Sequence, residues 1–139
     1  MTDSRRWQAW TRQGFGDYAY ERRGESKKNL PFDQHFLMGL VAPRPLLRME
    51  GREDEWANPE GTSCTFLATQ PIYDFLGAQT CNGIHFRKGG HEFSEVDRAA
   101  LARFAEWHLF GVEPDRSFSR LVLAPASLPG FIDWDAPNA

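Results

Sequence analysis

No stretch of the chain is apolar for long enough to span a bilayer, so a membrane-embedded role has no support in the sequence. The opening "MTDSRRWQAWTRQ" lacks the apolar core of a secretory signal, and none is visible. No internal repeat and no low-complexity tract recurs along the 139 residues. Basic excess is missing too. The net charge of −3 leaves no electrostatic footprint for nucleic acid. The locally basic "ERRGESKK" reads as a solvated loop rather than a phosphate-binding patch. Only two cysteines are present, Cys64 and Cys81, and their spacing is not that of metal ligands. They flank an expected helix that holds them too far apart for a bridge, so both read as free or buried thiols. Neither a metal nor a cofactor is expected. The last absence concerns chemistry: there is no G-x-S-x-G turn of the kind that presents a nucleophilic serine.

Apolar material, by contrast, is plentiful. Hydrophobic residues make up 41% of the chain and aromatics 14%, including 11 Phe and 5 Trp. A chain of this length buries roughly 68–70% of its unfolded surface when it folds, enough for one core. Residues 5–20 read as a short helix and irregular chain, broken by Gly14 and Gly16. Asp33 is placed to cap a short helix with Phe36, Leu37, Leu40 and Val41 on its apolar face, stopped by "APRP". Residues 45–51 read as a buried strand, and residues 52–61 as a polar loop. A helix follows from Thr62 to Leu76, kinked or restarted at Pro71 and stopped by Gly77. "GIHFRKGG" is a second strand. Ser94 caps the last helix, and Asp97 completes an acidic capping box. Val96, Ala100, Leu101, Phe104 and Trp107 supply that helix's inner face.

Alternating helices and strands specify an α/β fold with a parallel, doubly wound sheet. Two strands make a poor sheet alone, which points to part of something larger. Residues 1–111 are taken as the folded α/β part, and residues 112–139, with four of the nine prolines, as an extended tail packing on it, "RLVLAP" being strand-like.

In open α/β sheets, function gathers at the carboxyl ends of the strands. Asp54 falls just past the first strand and His91 just past the second, 37 residues apart. That interval holds one loop, one helix and one strand, so parallel neighbours would bring both to one edge. An acid and a histidine in that order form the back half of a Ser–His–acid triad. On spacing alone, two solvated loop residues fit equally well.

A resemblance weighs here. "LPFDQHFLMGLVAPRPLL", "GREDEWANPEG", "PIYDFLG" and "GGHEFSEVD", with "WTRQGFGDY" before them and "LPGFIDWDAP" after, together resemble the C-terminal half of the glucuronoyl esterases, carbohydrate esterase family fifteen. These are serine α/β-hydrolases that cleave esters joining lignin alcohols to the 4-O-methyl-glucuronic acid of xylan. The resemblance implies a partial α/β-hydrolase whose nucleophile half is absent from the chain. His91 then corresponds to the family's catalytic histidine. Asp54 corresponds to the acid after the penultimate strand, which some members use; others use a glutamate further upstream. Trp56 corresponds to a tryptophan on the glucuronate, the alternative being a buried residue that packs the loop. His35 reads as a packing or hydrogen-bonding residue, and His85 and His108 have no assigned role. The implied partners are a glucuronate ester or xylan-type carbohydrate, and self-association or a complementary N-terminal half. Members are usually exported. Without its serine the chain is expected to be inactive alone. Two alternatives stand beside this: a non-catalytic uronic-acid or xylan-binding remnant, or a subunit completing a split hydrolase. A third, a standalone enzyme using Ser63 or Cys64, conflicts with the triad order.

Overall fold

The computed structural model describes residues 34–121. The expectations for the first 33 residues, Asp33 included, and for residues 122–139 lie outside this span. Within it the order is α1 (Gln34–Gly39), β1 (Leu46–Gly51), α2 (Pro59–Phe75), a 3-10 turn (Gln79–Cys81), β2 (Asn82–Arg87) and α3 (Glu95–Phe110). The strands are parallel neighbours, in register from Leu46 against Asn82 to Gly51 against Arg87. Side chains of successive strand residues point to opposite faces. Ile84 and Phe86 accordingly pack with Phe66 of α2. Leu47 packs on the other face with Ala100 and Phe104 of α3, and with Phe118 beyond it. Helices therefore cover both faces of the sheet.

Several expected boundaries shift. Helix α2 starts at Pro59, inside the expected loop. Asn58 adopts a left-handed φ of 62°, and its side chain accepts a bond from the Gly61 amide at 3.4 Å. Proline is favoured in the first turn because its missing N–H has no helical partner there anyway. The helix then runs unbroken through Pro71 to Phe75. Strand β2 ends at Arg87, so the two glycines belong to the turn that follows it. The capping box of α3 forms as read, with Asp97 Oδ2 accepting from the Ser94 amide at 2.8 Å and from its hydroxyl at 2.9 Å.

Two apolar faces need correction. In α1 the buried residue is His35, while Phe36 is 43% and Leu40 74% exposed. In α3 the buried stripe is Asp97, Ala100 and Phe104, and Val96 and Leu101 flank it in solvent. Two strands form a narrow floor, and only a narrow stripe of a helix fits against it.

The two edges of the sheet differ. The amide of Ile84, which points away from β1, donates to the Phe118 carbonyl at 2.6 Å, and Phe118 is buried. The segment after α3 thus meets the outer edge of β2 at Ile84. On β1 the same alternation turns the main-chain groups of Leu47 and Met49 outward, and among the described residues no strand pairs with them.

Beneath the sheet, the α2 side holds a polar network beside the Phe66, Ile84 and Phe86 cluster. Arg48 is buried and donates to Asn82 Oδ1 at 2.6 Å and to Thr69 Oγ1 at 3.2 Å. Asn82 in turn donates to the Phe66 carbonyl and to Gln70 Oε1. Burial lowers the Arg48 guanidinium to about 10. Among the described residues no carboxylate pairs with it, so neutral oxygens carry its solvation.

Candidate active site

Both loops of interest leave the same edge of the sheet because the strands are parallel and in register. They are also sewn together. The Arg52 amide donates to the Arg87 carbonyl at 2.9 Å, and the Glu53 amide to the Gly89 carbonyl at 3.1 Å. Gly51 permits this approach. A Cβ there would lie 2.2 Å from the Gly89 carbonyl oxygen and 2.3 Å from that of Gly90. The turn after β2 is possible because Gly89 holds a φ of 106°, a conformation that L side chains avoid.

This stitching brings Asp54 and His91 together. His91 Nδ1 lies 2.6 Å from Asp54 Oδ2. An ionised carboxylate can only accept, so Nδ1 carries the proton, and in the neutral ring the outer nitrogen, Nε2, presents a lone pair. The carboxylate is 6% exposed and the imidazole 69%. A buried anchor and an outward ring suit a base that must reach a reacting group. Burial alone would raise the Asp54 carboxyl. The bond from His91 and the amides of Ala57 and Trp56 outweigh it and hold the carboxyl below its usual range. A folded-state value depressed in this way stabilises the protein above the ordinary aspartate range. That contribution disappears as pH falls through the depressed value.

Trp56 is 68% exposed, and its ring sits edge-on to His91 with centroids 5.3 Å apart. The buried loop-packing alternative is therefore incorrect. Beside the pair opens a cavity of about 410 Å³, lined in part by Glu50, Thr62, Asp54, His91 and Phe93.

Glu50 is a site residue that the sequence reading missed. It lies within β1, where a carboxylate looks like an error in a buried strand. Burial pushes its carboxyl up to about 7, and the nearby Asp54 adds to the rise. A bond from Thr62 and the charge of His91 oppose it. Between the ordinary value of 4.5 and about 7, the unfolded chain loses a proton that the folded chain keeps. Stability should therefore fall as pH rises through that window. Glu50→Gln is expected to flatten this dependence and to be more stable than the parent above it by about 1–2 kcal/mol, discounted for partial exposure. Urea unfolding below and above that window would measure the difference.

The other chemical candidates do not join the site. Ser63 is fully buried, and its hydroxyl donates to the Pro59 carbonyl at 2.9 Å. Cys64 is buried, and its thiol is pushed up to about 11 by that burial, with the charge of Glu60 adding to it. Neither lines the cavity. His108 stands 3.9 Å from the Cys81 sulfur, and burial lowers both His108 and His85. Among the described residues no group of three or more His, Cys, Asp or Glu could hold a metal ion, and no helix is long and apolar enough to cross a membrane.

Comparison with known proteins adds the following. The family profile described as "Glucuronyl esterase, fungi" matches residues 2–77, a span that includes Asp54 and Trp56 and stops before His91. A 4-O-methyl-glucuronoyl methylesterase of Phanerochaete carnosa is 31% identical over 120 residues, covering 78% of this chain and 28% of that protein. Among solved structures, a carbohydrate esterase family 15 glucuronoyl esterase from Caldicellulosiruptor kristjansonii superposes with a TM-score of 0.76 at 35% identity, over 84% of this chain and 30% of that one. The glucuronoyl esterase catalytic domain from Hypocrea jecorina shares the fold, with a TM-score of 0.59 at 23% identity over 78% of this chain and 30% of that one. The chain thus spans 28–30% of the length of these proteins.

Proposed function

Because the chain belongs to the glucuronoyl esterase family, we propose that it supplies the acid and the histidine of a serine esterase triad, completed by a serine that these 139 residues do not carry. The observation behind this reading is the 2.6 Å contact between His91 Nδ1 and Asp54 Oδ2 at the ends of adjacent parallel strands. The chain forms the C-terminal strands and helices of a larger, doubly wound α/β-hydrolase sheet. Asp54 fixes the tautomer of His91. Nε2 then removes the proton of the serine hydroxyl as that oxygen attacks the ester carbonyl. The proton passes from His91 to the departing alcohol. The acyl-enzyme is released when water, deprotonated by the same nitrogen, attacks in turn. The substrate is an ester of a 4-O-methyl-glucuronic acid carried on xylan, and Trp56 lies against the sugar ring.

A benzyl glucuronate ester, used beside a serine-reactive phosphonate, tests this reading. The chain alone is expected to give neither turnover nor labelling. Joined to the serine-bearing N-terminal half of a family member, it should give both. Turnover or serine labelling by the chain alone would overturn the assignment.

One observation favours a second reading. The exposed Trp56 ring is available for stacking without any chemistry. Saturable uronic-acid binding by the chain alone, abolished in Trp56→Ala, would support a carbohydrate-binding role instead.

A further inference from the structure

Arg87 ends β2 with its side chain buried, and every nitrogen of its guanidinium turns back onto the chain that follows. Nε donates to Asp97 Oδ2 at 2.5 Å. Nη1 donates to the Lys88 carbonyl at 3.1 Å and to Glu92 Oε1 at 2.9 Å. Nη2 donates to the Gly90 carbonyl at 2.9 Å and also to the Glu92 carbonyl. Gly90 and Glu92 are the residues on either side of His91. One planar fork therefore grips the backbone before and after an imidazole that is itself mostly in solvent. The far end of the fork is fixed as well, because Asp97 is held by the amide and hydroxyl of Ser94 at the start of α3. Gly89 is packed against the same group: a Cβ there would come within 2.6 Å of Glu92 Oε1 and 2.9 Å of Arg87 Nη1.

We propose that Arg87 is the positioning residue for His91. It locks the 88–92 turn to the first turn of α3, so that the imidazole meets Asp54. A turn built on two glycines would otherwise open locally at little cost. Placement errors near 1 Å in a reacting group are enough to lose about 10²-fold in rate. Lysine cannot substitute, since a single ammonium has three donors and no fork. The inference rests on the reading of Asp54 and His91 as a functional pair.

The test uses the full chain and two signals from nuclear magnetic resonance. One is the His91 Nδ1 proton, assigned by its loss in Asp54→Ala. The other is exchange of the Glu53 amide, which is bonded to the Gly89 carbonyl and so reports the turn directly. In Arg87→Lys the imidazole proton signal is expected to vanish. Glu53 exchange should quicken about tenfold, equivalent to about 1.4 kcal/mol of local opening, while amides inside α2 keep their parent rates. Glu92→Gln, which keeps the fork, should quicken Glu53 about threefold and decides the matter if Arg87→Lys does not fold. Unchanged Glu53 exchange in the folded variants overturns the proposal. So does a parallel acceleration of Glu53 and the α2 amides, which would mark a general loss of stability. If the parent chain itself shows no His91 signal, the functional pairing fails, and Glu53 still decides whether Arg87 holds the turn.

Discussion

Asp54→Asn in the completed enzyme is expected to reduce ester hydrolysis by a factor on the order of 10⁴, with little change in fold. The size of the loss follows from what Asp54 does rather than from its charge alone. Its Oδ2 is the partner of His91 Nδ1, and its Oδ1 accepts from the Ala57 amide at 3.1 Å, so the carboxylate orientation is set from two sides. An asparagine in the same place can turn its amide toward the ring. Nδ1 would then become the acceptor and Nε2 would carry the proton, the opposite of what a base attacking a serine hydroxyl requires. Steady-state rates on a benzyl glucuronate ester, with circular dichroism to confirm the fold, measure the effect. A loss under tenfold would mean that the working acid comes from elsewhere in the assembled enzyme, and that Asp54 only buttresses the loop.

Gly51→Ala should be about as damaging to the fold as Asp54→Asn is to chemistry. The new methyl would stand 2.2 Å and 2.3 Å from two carbonyl oxygens of the main chain, and the carbonyl carbon of Gly89 lies at 2.9 Å. A clash with a flexible side-chain tip is relieved cheaply, but these atoms belong to the turn that carries His91. Either β1 or the turn must shift, and the bonds from the Arg52 and Glu53 amides stretch with it. Overpacking of this kind costs typically 1–3 kcal/mol, and immovable backbone places this case at about 3 kcal/mol or above. Gly90→Ala is the control. Its nearest neighbour would be Glu92 Oε2 at 3.8 Å, an ordinary contact, so a change within about 0.5 kcal/mol is expected. Urea unfolding of the two variants should separate them clearly. Equal stabilities would mean that the two loops are not held as closely as described.

The contrast between these glycines shows what the sequence can and cannot tell. The sequence placed His91 just past the second strand, where it does lie, although the two glycines read as strand belong to the turn before it. It did not announce that Gly89 and Gly90 do different work, or that Gly51, 38 residues before Gly89, is tightly constrained as well. Local motifs report local geometry, whereas a close approach between two loops is a tertiary fact. The Asp54–His91 pairing was legible because parallel neighbours obey a simple rule about where their ends lie. Arg48 and Glu50 were not legible, since a strand written "PLLRMEG" looks like an apolar run with two interruptions. Their burial depends on partners distant in sequence: Asn82 of β2 and Thr69 of α2 for Arg48, and Thr62 of α2 for Glu50. Arg87 was hidden for a similar reason, as a basic residue ending a strand ordinarily reads as solvated. The shifted start of α2 belongs to a third kind. Asn58 and Pro59 form a legitimate start signal, outweighed in the reading by the charged residues around them.

The unequal edges of the sheet limit how copies of this chain can aggregate. Among the described residues, a strand adding to the far side of β2 would have to displace the bond from the Ile84 amide to the Phe118 carbonyl, whereas one adding to β1 displaces none. Among the described residues the outward Leu47 and Met49 amides have no strand partner, and two molecules that meet β1 to β1 across a twofold axis would satisfy them mutually. A twofold contact of this kind closes on itself and is not the repeating step of a fibre.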